Sequence, residues 1–396
     1  MSMAELEANK DWLIWARESV YFDKSTVAHK MNITEETLTN WENTGKINYN
    51  SLVKLSEIYK QSPLIFFNKN KPTYSKPIPD YRTVNNKKIQ ITPEIAFEIR
   101  DALIRRENIL TIEEENSLKI SPFGIECASK KNECLDNIKS ALEISKARLT
   151  EFSLEDWITK IEQLNVLIFH FYNISPKDLR GYAIYNKKLP IIGINNQETD
   201  NGKKFTLFHE LAHLVLQKDG LSNFESYNIK NNLEVICNSI AAEILVPEEY
   251  LNEFITKQKI SIFTDSENIK KLSKFFKVSE EVIIRRLLTL NYINKTEYQK
   301  YKEELNNYIF FTKKAKKSIN TKRNFKSKKT KYEINKKEKD NRKATTTIKQ
   351  NGKFYIKYLF NAYENDIIDD LDLTDNLNQS IDVINSIHEK INRGKL

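Results

Sequence analysis

The chain has 396 residues, 40% hydrophobic and 30% charged, with a formal net charge of +9. That length predicts two or three domains with real cores, and no apolar run or N-terminal pattern suits a membrane span or secretory signal, so a cytoplasmic protein with no membrane partner is expected. Cys127, Cys134 and Cys237 neither pair closely nor form a C-x-x-C, so no disulfide framework is expected and the first two are read as small packing residues.

Residues 10 to 67 are expected to form short helices. Trp12, Leu13, Trp15 and Ala16 give the apolar stripe of the first, and Val27, Ala28 and Met31 mark a second. Asn32 suits a left-handed turn, and Thr34 can cap a third helix carrying Leu38 and Trp41. This pattern resembles the Cro/CI-type helix-turn-helix module. The resemblance assigns residues 1–70 to such a domain, with Thr37, Thr39 and Asn40 able to reach base edges of DNA. Charge pulls the other way. The same residues hold eight Lys or Arg against nine acids, and Glu35 and Glu36 open the third helix, where phosphate contacts prefer basic or neutral donors. A module that recognises another helix-turn-helix protein is the rival reading.

Prolines without periodicity make residues 71–94 a linker. Ile95, Ile99, Leu103, Ile104 and Leu110 then share a helical side, and further helices are expected near 134 to 147 and 153 to 164. The apolar run Val166 to Tyr172 reads as a buried strand, with His170 a core histidine and no zinc ligand. Gly181 to Tyr185 and Leu189 to Asn195 form two more, joined by a turn at Asn186 to Lys188. Pro190 suggests an edge position for the last, which would let Ile191, Ile192, Gly193 and Ile194 pair with an extended peptide.

In K-K-F-T-L-F-H-E-L-A-H-L-V-L, residues 203 to 216, spacing dictates a chemistry. On a helix His209 and His213 project from one face a turn apart with Glu210 beside them, while Phe205, Phe208, Leu211, Ala212, Val215 and Leu216 bury the rest. Two imidazoles at i and i+4 can bind one Zn²⁺, and the carboxylate between them is placed as general base for an attacking water. A catalytic site needs one more protein ligand. In L-E-V-I-C-N-S-I-A-A-E-I-L-V-P, residues 233 to 247, Glu234, Cys237, Asn238 and Ala241 share a face, whereas Glu243 falls about half a turn round. Glu234 is therefore the better ligand, with Asn238 suited to hydrogen-bond the ligand carboxylate or a histidine.

The runs R-G-Y-A-I-Y-N-K-K-L-P-I-I-G-I-N, F-T-L-F-H-E-L-A-H and E-V-I-C-N-S-I-A-A-E-I-L-V-P resemble, in order, spacing and flanks, the ImmA/IrrE family of zinc metallopeptidases. The resemblance covers roughly residues 95–310. It implies an α+β chain with a zincin-like domain in which His209, His213 and Glu234 hold Zn²⁺. Members cleave DNA-binding repressors to release stress-response or mobile-element genes. No oxyanion partner is assigned from sequence: Tyr182 and Tyr185 are within reach of the site, but a strand tyrosine is more often a packing residue.

Beyond residue 265 the pattern is helical, with Ser279 placed to N-cap a helix opened by Glu280 and Glu281. Residues 313–343 carry fifteen Lys or Arg and three acids, a surplus larger than the charge of the whole chain. They are read as part of a lysine-rich linker, 311–350, that can attract DNA without reading its sequence. Residues 351–396 return to amphipathic helix, with His388 solvated. The expected function is a zinc-dependent endopeptidase acting on a helix-turn-helix repressor, with Glu210 as base. The alternative is a non-proteolytic helix-turn-helix transcriptional regulator, or an antitoxin-like component, whose zinc domain senses or binds a partner.

Overall fold

The computed structural model describes residues 5–70, 91–116, 119–125, 127, 131–222, 232–304 and 336–392. The chain divides into two compact units, Met1–Glu107 and Asn108–Leu396, with the boundary inside one helix and not at the expected linker. Residues 71–90 of that linker lie outside the described residues.

The first unit holds helices α1 (Lys10–Ser19), α2 (Lys24–Met31), α3 (Glu35–Thr44) and α4 (Tyr49–Tyr59), the start of α5 (Pro93–Glu115), and a two-stranded antiparallel ribbon of β1 (Glu5–Glu7) and β2 (Lys46–Asn48). Trp12, Leu13, Val27, Leu38, Leu52 and Tyr59 form its interior. Asn32 takes the left-handed conformation after α2, at φ 56°, and the Thr34 hydroxyl accepts from the Thr37 N–H to cap α3. Gly45 ends α3 at φ 74°, against the Ala8 carbonyl, where a Cβ would stand 2.2 Å from the oxygen. A buried ion pair crosses the interior. The Arg17 guanidinium donates to both Glu42 oxygens, at 2.7 and 3.2 Å, and to the Phe22 carbonyl.

The second unit is α+β. After α6 (Lys131–Ala141), α7 (Lys146–Glu151) and α8 (Leu154–Glu162) comes a four-stranded sheet of β3 (Leu167–Phe171), β4 (Gly181–Ile184), β5 (Ile191–Asn195) and β6 (Gly220–Ser222), in the order β3-β5-β4-β6. β3 and β5 are parallel, and β4 runs antiparallel to both β5 and β6. Between β5 and β6 the chain makes α9 (Asp200–Val215). Ile168, Ala183, Ile192 and Ile194 join α9's Phe208, Leu211 and Ala212 in the main core, as alternation along a strand requires. That core also takes in α10 (Asn232–Leu245), α11 (Glu248–Gln258), α12 (Ser266–Phe276), α13 (Glu280–Thr289) and a helical stretch described over 295–304 (α14). The other face carries Leu167, Phe169, Phe171 and Tyr182, all buried. It is closed by α15 (Lys336–Asn351) and α16 (Lys353–Glu364), with Tyr355 edge-on to Phe169 at 6.4 Å. α17 (Asp370–Leu377) and α18 (Ile381–Asn392) complete this cover. His388 stacks on Phe360 and lies 3.2 Å from Glu364 in a partly exposed position.

Three expectations change. First, β5 is interior, bonded to β3 on one side and β4 on the other, so Ile191, Ile192, Gly193 and Ile194 have no side left for a substrate. Pro190 precedes the strand, where its missing N–H disturbs no ladder, and its carbonyl accepts from the Leu167 N–H at 2.8 Å. Among the described strands the edges are β3 and β6. Second, Cys127 and Cys134 form a disulfide. Cys134 lies in the first turn of α6, and the two Cα atoms stand 5.1 Å apart despite seven residues of separation. Third, residues 336–350 of the expected linker belong to α15, where Ala344, Thr347 and Ile348 are buried. Residues 313–335 of the lysine-rich run lie outside the described residues.

Candidate metal centre

α9 is the buried axis of the site. Thr199 caps it, the helix begins at Asp200 in the polar run ahead of Thr206, and every residue from Lys203 to Val215 is buried. Its His209, Glu210 and His213 are 4%, 0% and 0% exposed. α10 crosses it and brings Glu234, in its first turn, to both imidazoles. His209 Nε2 lies 3.3 Å from Glu234 Oε2, His213 Nε2 lies 3.4 Å from Glu234 Oε1, and the two Nε2 atoms are 3.2 Å apart.

Those three spacings test whether a metal fits. Ligands held tetrahedrally at about 2.0–2.1 Å from Zn²⁺ stand about 3.3–3.4 Å from one another, and the donors here already lie at that separation. Among the described residues, His209, His213 and Glu234 are the group that could hold an ion. Two imidazoles and one carboxylate leave a fourth position open, as a catalytic zinc site does.

His209 and Glu234 are electrostatically coupled. Burial works against charge on His209, yet the Glu234 bond and the Glu210 and Glu234 charges outweigh it and raise its pKa, helped by a side-chain bond to Asn238. Burial likewise would raise Glu234, but the two imidazole donors keep its carboxyl well below the usual range. Asn238 thus stands in reach of a donor imidazole, as its position one turn after Glu234 suggests. Glu243 points elsewhere, to an ion pair with the buried Arg286 and a longer one with Lys139 at 3.8 Å. His170 is buried on β3 away from the cluster, and its environment, by desolvation first and then by Lys203 and Lys349, lowers its pKa to about 4. Tyr182 stacks on Phe171 at 5.8 Å and lies across Gly193, a packing role. The Tyr185 N–H donates to Asp219 Oδ1 at 2.6 Å.

Two glycines shape the centre, and neither was singled out from sequence. A Cβ at Gly181 of β4 would stand 2.9 Å from Glu210 Oε1 and 2.4 Å from Thr206 Cγ2. One at Gly220 of β6 would stand 2.8 Å from His213 Nδ1. The sheet approaches the helix this closely only because those strand positions lack side chains. The signal was present: the chain has eight glycines, so a glycine inside a strand pattern is informative.

Thr37, Thr39 and Asn40 lie on α3 in the other unit and are half-buried, half-buried and exposed. Thr39 accepts from Lys24 Nζ at 3.2 Å, and Thr37 meets the Thr34 hydroxyl at 3.0 Å.

The chain is similar to the "Radiation response metalloprotease IrrE" of Deinococcus deserti, at 26% identity over 132 residues, which is 30% of this chain and 46% of that protein. It therefore spans about half the length of that curated relative. Residues 161–288, which hold the sheet, both donor helices and His209, Glu210, His213 and Glu234, match the Peptidase_M78 family, the IrrE N-terminal-like domain.

Proposed function

We propose that the protein is a cytoplasmic zinc-dependent endopeptidase that cleaves a DNA-binding regulator of the helix-turn-helix class. The observation that carries this reading is the convergence of His209 Nε2, His213 Nε2 and the Glu234 carboxylate at 3.2 to 3.4 Å, beside a buried Glu210 that the donor cluster does not include. His209, His213 and Glu234 would hold the ion. When bound, Zn²⁺ supplies Lewis acidity that lowers the pKa of water towards about 7 and polarises a scissile carbonyl. Glu210 takes the proton of the attacking water and returns it to the leaving amine. Gly181 gives its carboxylate room against the sheet, and Asn238 steadies His209.

An extended substrate adds to the sheet at β6, the edge strand whose Gly220 abuts His213. In this reading the first unit, with Thr37, Thr39 and Asn40 on α3, contacts either the DNA on which the repressor sits or the repressor itself. The similarity of residues 161–288 to a metallopeptidase family supports peptide hydrolysis, and the named relative is a metalloprotease.

The test is incubation of zinc-loaded protein with helix-turn-helix repressors encoded by neighbouring genes. Discrete cleavage by the wild type and a loss of roughly 10²-fold or more in Glu210→Gln are expected. Cleavage by that variant at the wild-type rate ends the proposed mechanism, and binding of repressor without any cleavage favours the non-proteolytic regulator.

A further inference from the structure

Away from the metal centre the second unit has a cavity of about 460 Å³ lined by Ser153, Leu154, Asp200, Asn201, Lys204, Lys270, Ser273, Lys274, Lys277 and Glu280. Four of these are lysines and two are acids. Each acid already has a partner: Asp200 meets Lys203 at 3.4 Å, and Glu280 accepts from the Tyr301 hydroxyl at 2.8 Å. The first turns of three helices, α8, α9 and α13, contribute to the wall through Leu154, Asp200 with Asn201, and Glu280. Such turns present positive dipole ends and backbone N–H groups.

Lys204 makes this more than a solvated charged surface. It is 5% exposed, and among the described residues its ammonium donates to the Phe152 carbonyl at 3.3 Å. Lys277 beside it donates to the Glu151 carbonyl at 3.1 Å. Burial first, and then repulsion from Lys277, lower the pKa of Lys204 against the opposing pull of the Asp200 and Asp156 carboxylates. Lys204 and Lys277 are neighbouring cations, each donating to one backbone carbonyl, so an anion entering the cavity meets two ammonium groups already placed by the protein. Their fixed positions also reduce the ordering cost of binding.

We propose that this cavity is a binding site for a small phosphorylated anion, with Lys204, Lys274 and Lys277 as its cationic donors. Its volume exceeds that of one phosphate group, so an oligophosphate or phosphate ester fits better than inorganic phosphate. Lys204 lies on α9 five residues before His209, so occupancy stiffens the helix that carries two of the metal donors. The site does not depend on the peptidase reading.

Pyrophosphate and inorganic phosphate are titrated into the full chain at constant ionic strength, with calorimetry and thermal shift as readouts. Saturable 1:1 binding is expected, tighter for pyrophosphate. Lys274→Ala and Lys277→Ala should each weaken it about tenfold or more, the worth of one charge-assisted bond, while the exposed Lys218→Ala leaves it unchanged. Both test residues lie on or just after α12, outside the metal centre, so circular dichroism and metal content should stay at wild-type values. Binding that does not saturate, or is insensitive to both substitutions, overturns the proposal. Binding of a poly-glutamate peptide but not of pyrophosphate also overturns it, in favour of an acidic protein segment.

Discussion

Glu162, at the end of α8, should set a pH dependence of stability that has nothing to do with catalysis. It is 6% exposed, and its Oε1 accepts from the Phe354 N–H at 3.1 Å. It thereby caps α16, whose own N-cap residue, Gly352, has no side chain to do so. Burial, the largest influence, pushes the Glu162 pKa up to about 7 despite that bond and the nearby Lys353 and Lys357. The folded state therefore favours the protonated acid. Its contribution to stability is complete below the unfolded value of 4.5 and is lost as pH rises through 7. Each pH unit of that interval is worth about 1.4 kcal/mol, so the total loss is about 3 kcal/mol, most of it between pH 5 and pH 8. Glu162→Gln keeps an acceptor for Phe354 and removes the titration. Urea titrations at pH 5 and pH 8, read through hydrogen exchange of α8 and α16 amides, should show the wild type losing about 2–3 kcal/mol more than the variant. Equal losses in the two proteins would refute a buried, titrating Glu162.

At the metal centre, Glu234→Ala should lose most bound zinc while Glu243→Ala retains about one Zn²⁺ per chain, and equal metal loss in both would show that the wrong carboxylate was chosen. Glu243→Ala should instead destabilise the fold by about 3–5 kcal/mol by stranding the buried Arg286, which a urea midpoint measures. Gly220→Ala should lower zinc affinity by pushing on the His213 ring while far-UV circular dichroism stays unchanged; full affinity in that variant would mean that the strand yields. In the first unit, Glu42→Ala should cost about 3–5 kcal/mol because Arg17 loses its paired carboxylate in the interior, and a loss under 1 kcal/mol would rank that pair with surface ones.

The donor cluster was legible because helical geometry fixes it locally: i and i+4 put His209 and His213 together, and the phase difference between Glu234 and Glu243 chose one of them. The caps at Thr34 and Ser279 and the left-handed Asn32 were legible for the same reason. Strand order was not. Nothing within Ile191–Asn195 encodes which neighbours flank it, and Pro190 misled because it stands one residue outside the ladder. The Cys127–Cys134 pair was not legible, because a separation of seven residues does not fix a spatial distance, and the two Cα atoms stand 5.1 Å apart. Lysine content likewise masked α15, since its buried stripe of Ala344, Thr347 and Ile348 is short and partly polar.

The cover that α15 and α16 place on the sheet has a consequence for biosynthesis. β3 presents Leu167, Phe169 and Phe171 to helices that begin at Lys336, so some 165 residues must still be added after β3 before that apolar face can be buried. At about 5–20 residues per second a nascent chain carries it uncovered for roughly ten to thirty seconds. Within that interval the two histidines and Glu234 are synthesised, while the sheet against which α9 is aligned still lacks its second layer. A fragment cut to residues 161–288 would remain permanently in that condition, with an exposed aromatic face that invites self-association.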